Sequence, residues 1–248
     1  MGKTHKKYPK YMEDQRRFFD ELVTEDWNEY LSEDWNAERK REIKRLFKFI
    51  SPRRILNVGC GSGYHDLLMA EVPFVTEIVG IDYSENSIKV ANVEFPHSKI
   101  RREVSDITNY KNRMFDLVVS FQVIEHLTDP EAFLLECKKH CVKGGWVAVF
   151  TPNRKRLTNR FRAIIGLDLV LEDPQHFAEY TVRDLTHMGS QMGLTTVDDF
   201  SYNLTFEVPK FGWQLIPKRW SKHLGKRVPM LANRFAIIFI NSEESNQD

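Results

Sequence analysis

Short apolar runs ending in turn-forming or polar residues recur along the chain, at Arg54–Val58, Glu77–Asp82, Phe115–Phe121 and Trp146–Thr151. Runs this short and this rich in β-branched residues predict central strands buried on both faces. Between them lie segments with helix start signals. Ser84 precedes a helical pattern to Phe95, and Asp129-Pro130 opens one to Cys141 with proline in the first turn. Thr181-Val182-Arg183-Asp184 has capping-box spacing and opens a helix ending near Gly193. Alternating strand and helix patterns specify a parallel sheet wound with helices. Thr195–Tyr202 and Arg234–Asn241 then close the sheet. No crossover helix is evident between them, so they form an antiparallel edge pair. Residues 1–50 read differently: Trp27, Tyr30 and Trp35 stand among many charges, followed by Ile43, Leu46, Phe47 and Ile50 at amphipathic helix spacing. They predict a helical extension that covers the sheet or serves as a lid over a site, with the main domain at 51–248.

Composition narrows the function classes. The chain has 248 residues, 42% hydrophobic and 29% charged, enough for a sizeable core. Its 36 Lys and Arg against 35 Asp and Glu give a net charge of +1, so there is no global electrostatic reason to expect nucleic acid. The three cysteines, Cys60, Cys137 and Cys141, are an odd number and argue against a secreted disulfide scaffold, so the cytoplasm is expected. The basic start Met1–Lys7 is followed by no apolar run, and no secretory signal or membrane span is expected.

Candidate chemistry begins at Asn57-Val58-Gly59-Cys60-Gly61-Ser62-Gly63, which follows a strand and precedes a helix. Glycines here let the backbone turn sharply and approach a ligand closely. Asp82, at the end of the next strand, can accept both hydroxyl protons of an adenosine ribose. Together they point to a nucleoside cofactor. The spacing is G-x-G-x-G with Tyr64 where a dinucleotide fingerprint has its third glycine, and no G-x-x-x-x-G-K-[ST] run occurs, so a bound phosphate is poorly supported.

The segment resembles motif I of class I S-adenosylmethionine-dependent methyltransferases, and the similarity extends over roughly residues 50–195. The resemblance implies their Rossmann-like α/β fold: a seven-stranded, mostly parallel sheet with an antiparallel edge hairpin and helices on both faces. It also implies S-adenosyl-L-methionine as cofactor and S-adenosyl-L-homocysteine as product. Gly59, Cys60, Gly61 and Gly63 would pass beneath the methionine part, Asp82 would hold the ribose, and Asp106 with Ile107 would meet the adenine, with Tyr83 also in the implied cofactor set. For Asp106 the alternative is a turn-forming aspartate before Thr108. Asn57 stands where the family usually has an acid, so an amide replaces a charge. Gln122 completes the implied cofactor set.

Residues Phe115 to Leu127 resemble the family's fourth motif, and Ile124-Glu125-His126-Leu127 is typical of small-molecule members. No Asn/Asp-Pro-Pro-Tyr motif or Pro-Cys pair appears, which disfavours methylation of nucleobase amines or cytosine C5. An alcohol acceptor needs a base near the transition state. His126 and His176 are the candidates, with a core or capping role as the alternative for His126. His65 is expected to begin the first helix after the glycines. Cys137, His140 and Cys141 share a helix, but Phe133, Leu134, Cys137 and Cys141 make an apolar stripe, and no metal is expected.

The acceptor is read from two basic stretches. A loop at 151–162 carries five cations and no acid. Residues 203–234 carry seven cations against Glu207, interleaved with aromatics. The second stretch fits a solvated insertion, a membrane-surface patch or an RNA-binding patch. The resulting expectation is methyl transfer to a small-molecule or lipid-linked metabolite, with oxygen favoured as the acceptor atom. An RNA-modifying enzyme and a cofactor-binding subunit without catalysis are the alternatives.

Overall fold

The computed structural model describes residues 15, 17–20, 33–111, 113–204, 207–208, 213–214 and 228–242, in two compact units, 1–119 and 120–248. The first contains α1 (Glu33–Leu46), β1 (Arg54–Val58), α2 (Tyr64–Ala70), β2 (Glu77–Asp82), α3 (Glu85–Glu94) and β3 (Ile100–Val104). β1 pairs parallel to β2 with Asn57 opposite Gly80, and β2 pairs parallel to β3 with Asp82 opposite Val104. Ile55, Leu56, Ile78, Val79 and Ile81 are fully buried, as expected of strands covered on both faces. The Asp116 carboxylate accepts from the backbone N–H groups of Arg53 and Arg54 at 3.0 and 2.9 Å and fixes the start of β1. Ser84 caps α3 by accepting from the Ser87 N–H at 3.0 Å.

β3 carries a feature that its sequence, Ile-Arg-Arg-Glu-Val, does not reveal. Arg102 is buried and donates from Nε to Asp66 at 2.8 Å, from Nη1 to the carbonyls of Ala91 and Phe95, and from Nη2 to that of Gly63. A buried guanidinium is tolerable only when its donors are paired in this way. One side chain thereby ties the glycine loop, α2 and the end of α3 together. α1 buries Ile43 and Leu46, and Phe47 meets Phe74 edge-on at 5.4 Å between ring centres. His65 stands in the first turn of α2, as expected, with Nε2 2.9 Å from Glu42 of α1. Trp27 and Tyr30, named for the N-terminal extension, lie outside the described residues.

β4 (Phe115–Phe121) spans the division between the units. The second unit continues with α4 (Pro130–Lys139), β5 (Cys141–Pro152), α5 (Leu157–Ile164), α6 (Val182–Gln191), β6 (Thr195–Tyr202) and β7 (Arg234–Ile240). β7 runs antiparallel to both β5 and β6, with Val149 opposite Ile237 and Phe200 opposite Ala236. The sheet order is β3-β2-β1-β4-β5-β7-β6, the parallel sheet with an antiparallel edge that the patterns predict. Thr181 and Asp184 form the expected capping box on α6, and Asp129 caps α4 by accepting from the Ala132 N–H at 2.9 Å.

Two expectations are corrected. The strand expected at Trp146–Thr151 starts at Cys141, because Asn241 pairs with this stretch, its Nδ2 donating to the Cys141 carbonyl at 2.8 Å. The helix before it accordingly stops at Lys139. The basic stretch 151–162, read as a loop, is helical from Leu157 onward. Most of 203–233 lies outside the described residues, apart from 203–204, a two-residue ladder of Glu207–Val208 with Trp213–Gln214 and the stretch from 228 onward.

Candidate active site

In the first unit the glycine loop is built by backbone contacts to β2. The N–H groups of Gly59 and Cys60 both donate to the Ile81 carbonyl, at 2.8 and 3.0 Å. The Gly61 N–H donates to one Asp82 oxygen and the Ser84 N–H to the other, each at 2.9 Å. Asp82 is therefore buried with both oxygens oriented by main chain, and each oxygen keeps a lone pair for a ligand hydroxyl. Burial raises its pKa, opposed by these two hydrogen bonds.

Gly59, Gly61 and Gly63 all have positive φ, but they differ in what surrounds them. A Cβ on Gly63 would come within 2.8 Å of Ala91 Cβ and the Arg102 guanidinium, so this glycine serves packing. A Cβ on Gly61 would meet nothing within 4 Å, so its side faces open space. Gly80 lacks room for a side chain because Asp66 and Cys60 occupy it at 2.7 and 3.0 Å.

Asn57 donates through Nδ2 to buried Asp66 at 2.7 Å, leaving Oδ1 buried with no hydrogen-bond partner among the described residues. That orphan acceptor suits an ammonium donor. The Cys60 thiol is buried and its pKa is pushed up by burial and by Asp66, so Cys60 offers backbone and not a thiolate. Tyr83 sits edge-on to Phe19, with ring centres 6.3 Å apart. Asp20 accepts from Ser84 Oγ and from the Asn86 N–H, which brings residues 17–20 against the end of β2. Asp106 turns back on itself: its Oδ1 accepts from both the N–H and the hydroxyl of Thr108, at 2.8 and 2.9 Å, while Ile107 is buried. One Asp106 oxygen is thus committed to a turn. Ser105 N–H donates to the Asp82 carbonyl at 2.9 Å, bringing the ends of β2 and β3 side by side. Open space at Gly61, an orphan acceptor at Asn57 and a preset carboxylate at Asp82 fit an amino-acid nucleoside.

The second unit brings the two candidate bases together across fifty residues of sequence. The His126 and His176 rings meet edge-to-face with centroids 4.8 Å apart. Glu125 is fully buried: Thr151 Oγ1 donates to its Oε2 at 3.0 Å, and its Oε1 has no hydrogen-bond partner among the described residues. The Phe177 N–H donates to the Glu125 carbonyl at 2.8 Å and pins the two segments to each other. His176 Nδ1 lies 3.1 Å from Glu179, which is held in turn by Arg156 and by the Glu172 N–H. Gln122 begins this turn with φ of 57°, a costly value for a non-glycine residue, and its Nε2 is also buried without a partner among the described residues.

These neighbours separate the titrations. Burial pushes Glu125 up to about 7, although His176 opposes it. Burial and the charge of His176 push His126 down to about 4. Burial alone would lower His176, but the Glu179 hydrogen bond and the charges of Glu125 and Glu179 outweigh it and raise its pKa. Glu125, His126 and His176 each bring one ligand-type atom to within 4.8 Å of the others, a grouping able to hold a proton or a cation. Cys137 and Cys141 are buried free thiols in the core.

A family described as a methyltransferase domain matches residues 27–199. The chain belongs to the class I S-adenosylmethionine-dependent methyltransferases. The chain is 32% identical to a ubiquinone biosynthesis O-methyltransferase of Bordetella avium over 55% of its own length and 57% of the relative. With another such enzyme, from Dinoroseobacter shibae, it shares 30% identity over 68% and 71%. The chain matches only about 60% of the length of the first curated relatives. The N-methyltransferase NodS of Bradyrhizobium japonicum, solved with S-adenosyl-l-homocysteine, shares the fold at a TM-score of 0.61 and 16% identity, over 92% of this chain and 98% of that one. Among the described residues, no helix is long and apolar enough to cross a membrane.

Asp66, Arg102, Glu125, Thr151, Arg156 and Glu179 were not foreseen as site residues. Glu179 had a local signal, three residues after His176. Glu125 lay inside the motif phrase, but nothing local announces a buried carboxylate.

Proposed function

We propose that the protein transfers the methyl group of S-adenosyl-L-methionine to a hydroxyl of a small-molecule or lipid-linked metabolite. The observation carrying this reading is the His126–His176 pair beside buried Glu125, with Glu179 behind His176. With Nδ1 turned to Glu179, the Nε2 lone pair of His176 is the proton acceptor. Arg156 and the Glu172 N–H keep Glu179 ionised and oriented, and its pKa is lowered because the His176 hydrogen bond and Arg156 outweigh burial. His126 stays neutral near neutral pH and offers a hydrogen bond without adding charge. Asn57, Gly59, Cys60, Gly61, Gly63, Asp82, Tyr83, Asp106, Ile107 and Gln122 form the proposed cofactor set. The bound cofactor supplies a methyl already activated by positive sulfur, so the chain's remaining work is alignment and exclusion of water. The contacts of Asp20 with Ser84 and Asn86 support a lid role for the N-terminal extension. The named activity of the ubiquinone relatives supports oxygen as the acceptor atom.

The decisive experiment incubates the purified protein with methyl-labelled cofactor and separate lipid, polar-metabolite and RNA fractions. Label in the lipid or metabolite fraction as a methyl ether is expected, whereas label in RNA, or none anywhere, overturns the reading. Chelator in a parallel reaction tests the base: turnover that survives assigns the proton to imidazole. Turnover lost with chelator and restored by Mn2+ gives the role to a cation at Glu125, His126 and His176.

A further inference from the structure

Large exposed apolar side chains are scattered singly over most of the described surface, with one exception. Phe161, Ile164, Ile165, Leu167, Leu169 and Leu171 are all exposed within eleven residues, Ile164 at 82%. Contiguous exposure of this kind marks an interaction site. It is also constructed. Buried Asn159 accepts from the Val170 N–H at 3.1 Å and donates to the Val170 carbonyl at 3.0 Å, and Arg156 donates to the same carbonyl at 2.6 Å. Leu167 N–H closes on the Arg162 carbonyl at 2.8 Å, Arg162 Nε donates to the Asp168 carbonyl at 2.6 Å, and Gly166 supplies the left-handed turn with φ of 73°. Backbone groups of Gly166, Leu167, Asp168 and Val170 are thus paired within the loop, while its apolar side chains are exposed. Such pairing favours an element that rests on the apolar margin of a bilayer, because unpaired backbone groups there are costly.

Charge selects the partner. Residues 154–171 contain Arg154, Lys155, Arg156, Arg160 and Arg162 against the single acid Asp168. Arg154 pairs with Asp184 at 3.0 Å and Arg156 with Glu179, leaving Lys155, Arg160 and Arg162 with no carboxylate paired to them among the described residues. A second copy would set these cations against their own kind, whereas anionic headgroups complement them.

One buried side chain joins this loop to the proposed base. Arg156 donates to the Val170 carbonyl with one nitrogen and to Glu179 with another, and Glu179 holds His176. We infer that residues 157–171 dock on an anionic lipid surface and that the acceptor delivered to His176 is lipid-linked. The inference rests on the methyltransferase reading for its substrate class and on the loop alone for its surface.

The full chain should co-sediment with phosphatidylcholine vesicles containing phosphatidylglycerol, bind vesicles without it far more weakly, and release as salt rises. The triple variant Ile164→Ser, Leu167→Ser, Leu169→Ser should lose vesicle affinity by at least about tenfold. Its thermal shift with S-adenosyl-L-homocysteine serves as the fold control and should match the parent. Lys155→Glu with Arg160→Glu, which leaves the apolar surface intact, should abolish the preference for anionic vesicles. Three results would each overturn the inference: no binding by the parent, undiminished binding by the folded triple variant, or a parent dimer in light scattering that the triple variant dissolves. Vesicle binding is read without turnover. Binding without methyl transfer thus removes only the enzymatic reading, and transfer to a soluble acceptor without vesicle binding removes only this one.

Discussion

Glu125 and His176 share a problem of burial that neither solves alone. A fully buried carboxylate is costly to ionise, and its pKa of about 7 reflects that cost. His176 gains protons for the opposite reason, since two carboxylates lie near it. A base must be neutral to act, so turnover should rise with pH through the raised His176 value. Glu125→Gln removes a negative charge facing His176 and should lower that value, moving the rising limb of the kcat profile to lower pH. A limb left in place would mean another group titrates. His126, at about 4, contributes no limb above pH 5. The residue types of this cluster were legible in the sequence, and both histidines stood out. Their meeting, and the burial that sets Glu125 apart from an ordinary surface acid, were not, because both depend on how distant segments pack.

Among the elements, the glycine loop shows how one motif mixes two duties. Gly63 is packed against Ala91 and Arg102, whereas Gly61 faces open space. Gly63→Ala should cost stability both from backbone strain of roughly 1–3 kcal/mol and from displacement of Arg102, read as a lowered denaturant midpoint. Gly61→Ala carries only the backbone strain, so it should fold with a smaller loss yet bind S-adenosyl-L-homocysteine at least about tenfold more weakly in calorimetry. Equal stability losses, or undiminished cofactor affinity in Gly61→Ala, would refute this division. β1, β2 and β4 were legible from their apolar runs. β3 was not, because Arg101, Arg102 and Glu103 mask it, and Arg102 belongs to the interior only because Asp66 and three carbonyls await it. α5 was missed for a different reason: Leu157, Phe161 and Ile164 recur at helical spacing, but its run of cations after a strand reads as a loop, and the apolar face it makes stays exposed at Phe161 and Ile164.

For the whole molecule, cofactor binding and folding are linked. A ligand held only by the native state adds about 2.7 kcal/mol at a hundredfold excess over Kd. For a chain of this size that corresponds to a rise in Tm of roughly 5–10 °C with S-adenosyl-L-homocysteine. Asp82→Ala removes the carboxylate that Gly61 and Ser84 orient, and should abolish most of the rise. A full shift in that variant would free Asp82 from the ribose role. The sequence by itself determined the alternation of strands and helices, the antiparallel edge, the caps and the glycine-loop chemistry. Each of these follows from periodicity, local hydrogen bonding or backbone freedom within a few residues. Only the tertiary structure decided that His126 meets His176, that Glu125 and Arg102 are interior, and that the apolar side chains of 161–171 face outward. Burial is a property of where the chain returns in space, and a charge or a leucine has the same local signature whichever side of the surface it occupies.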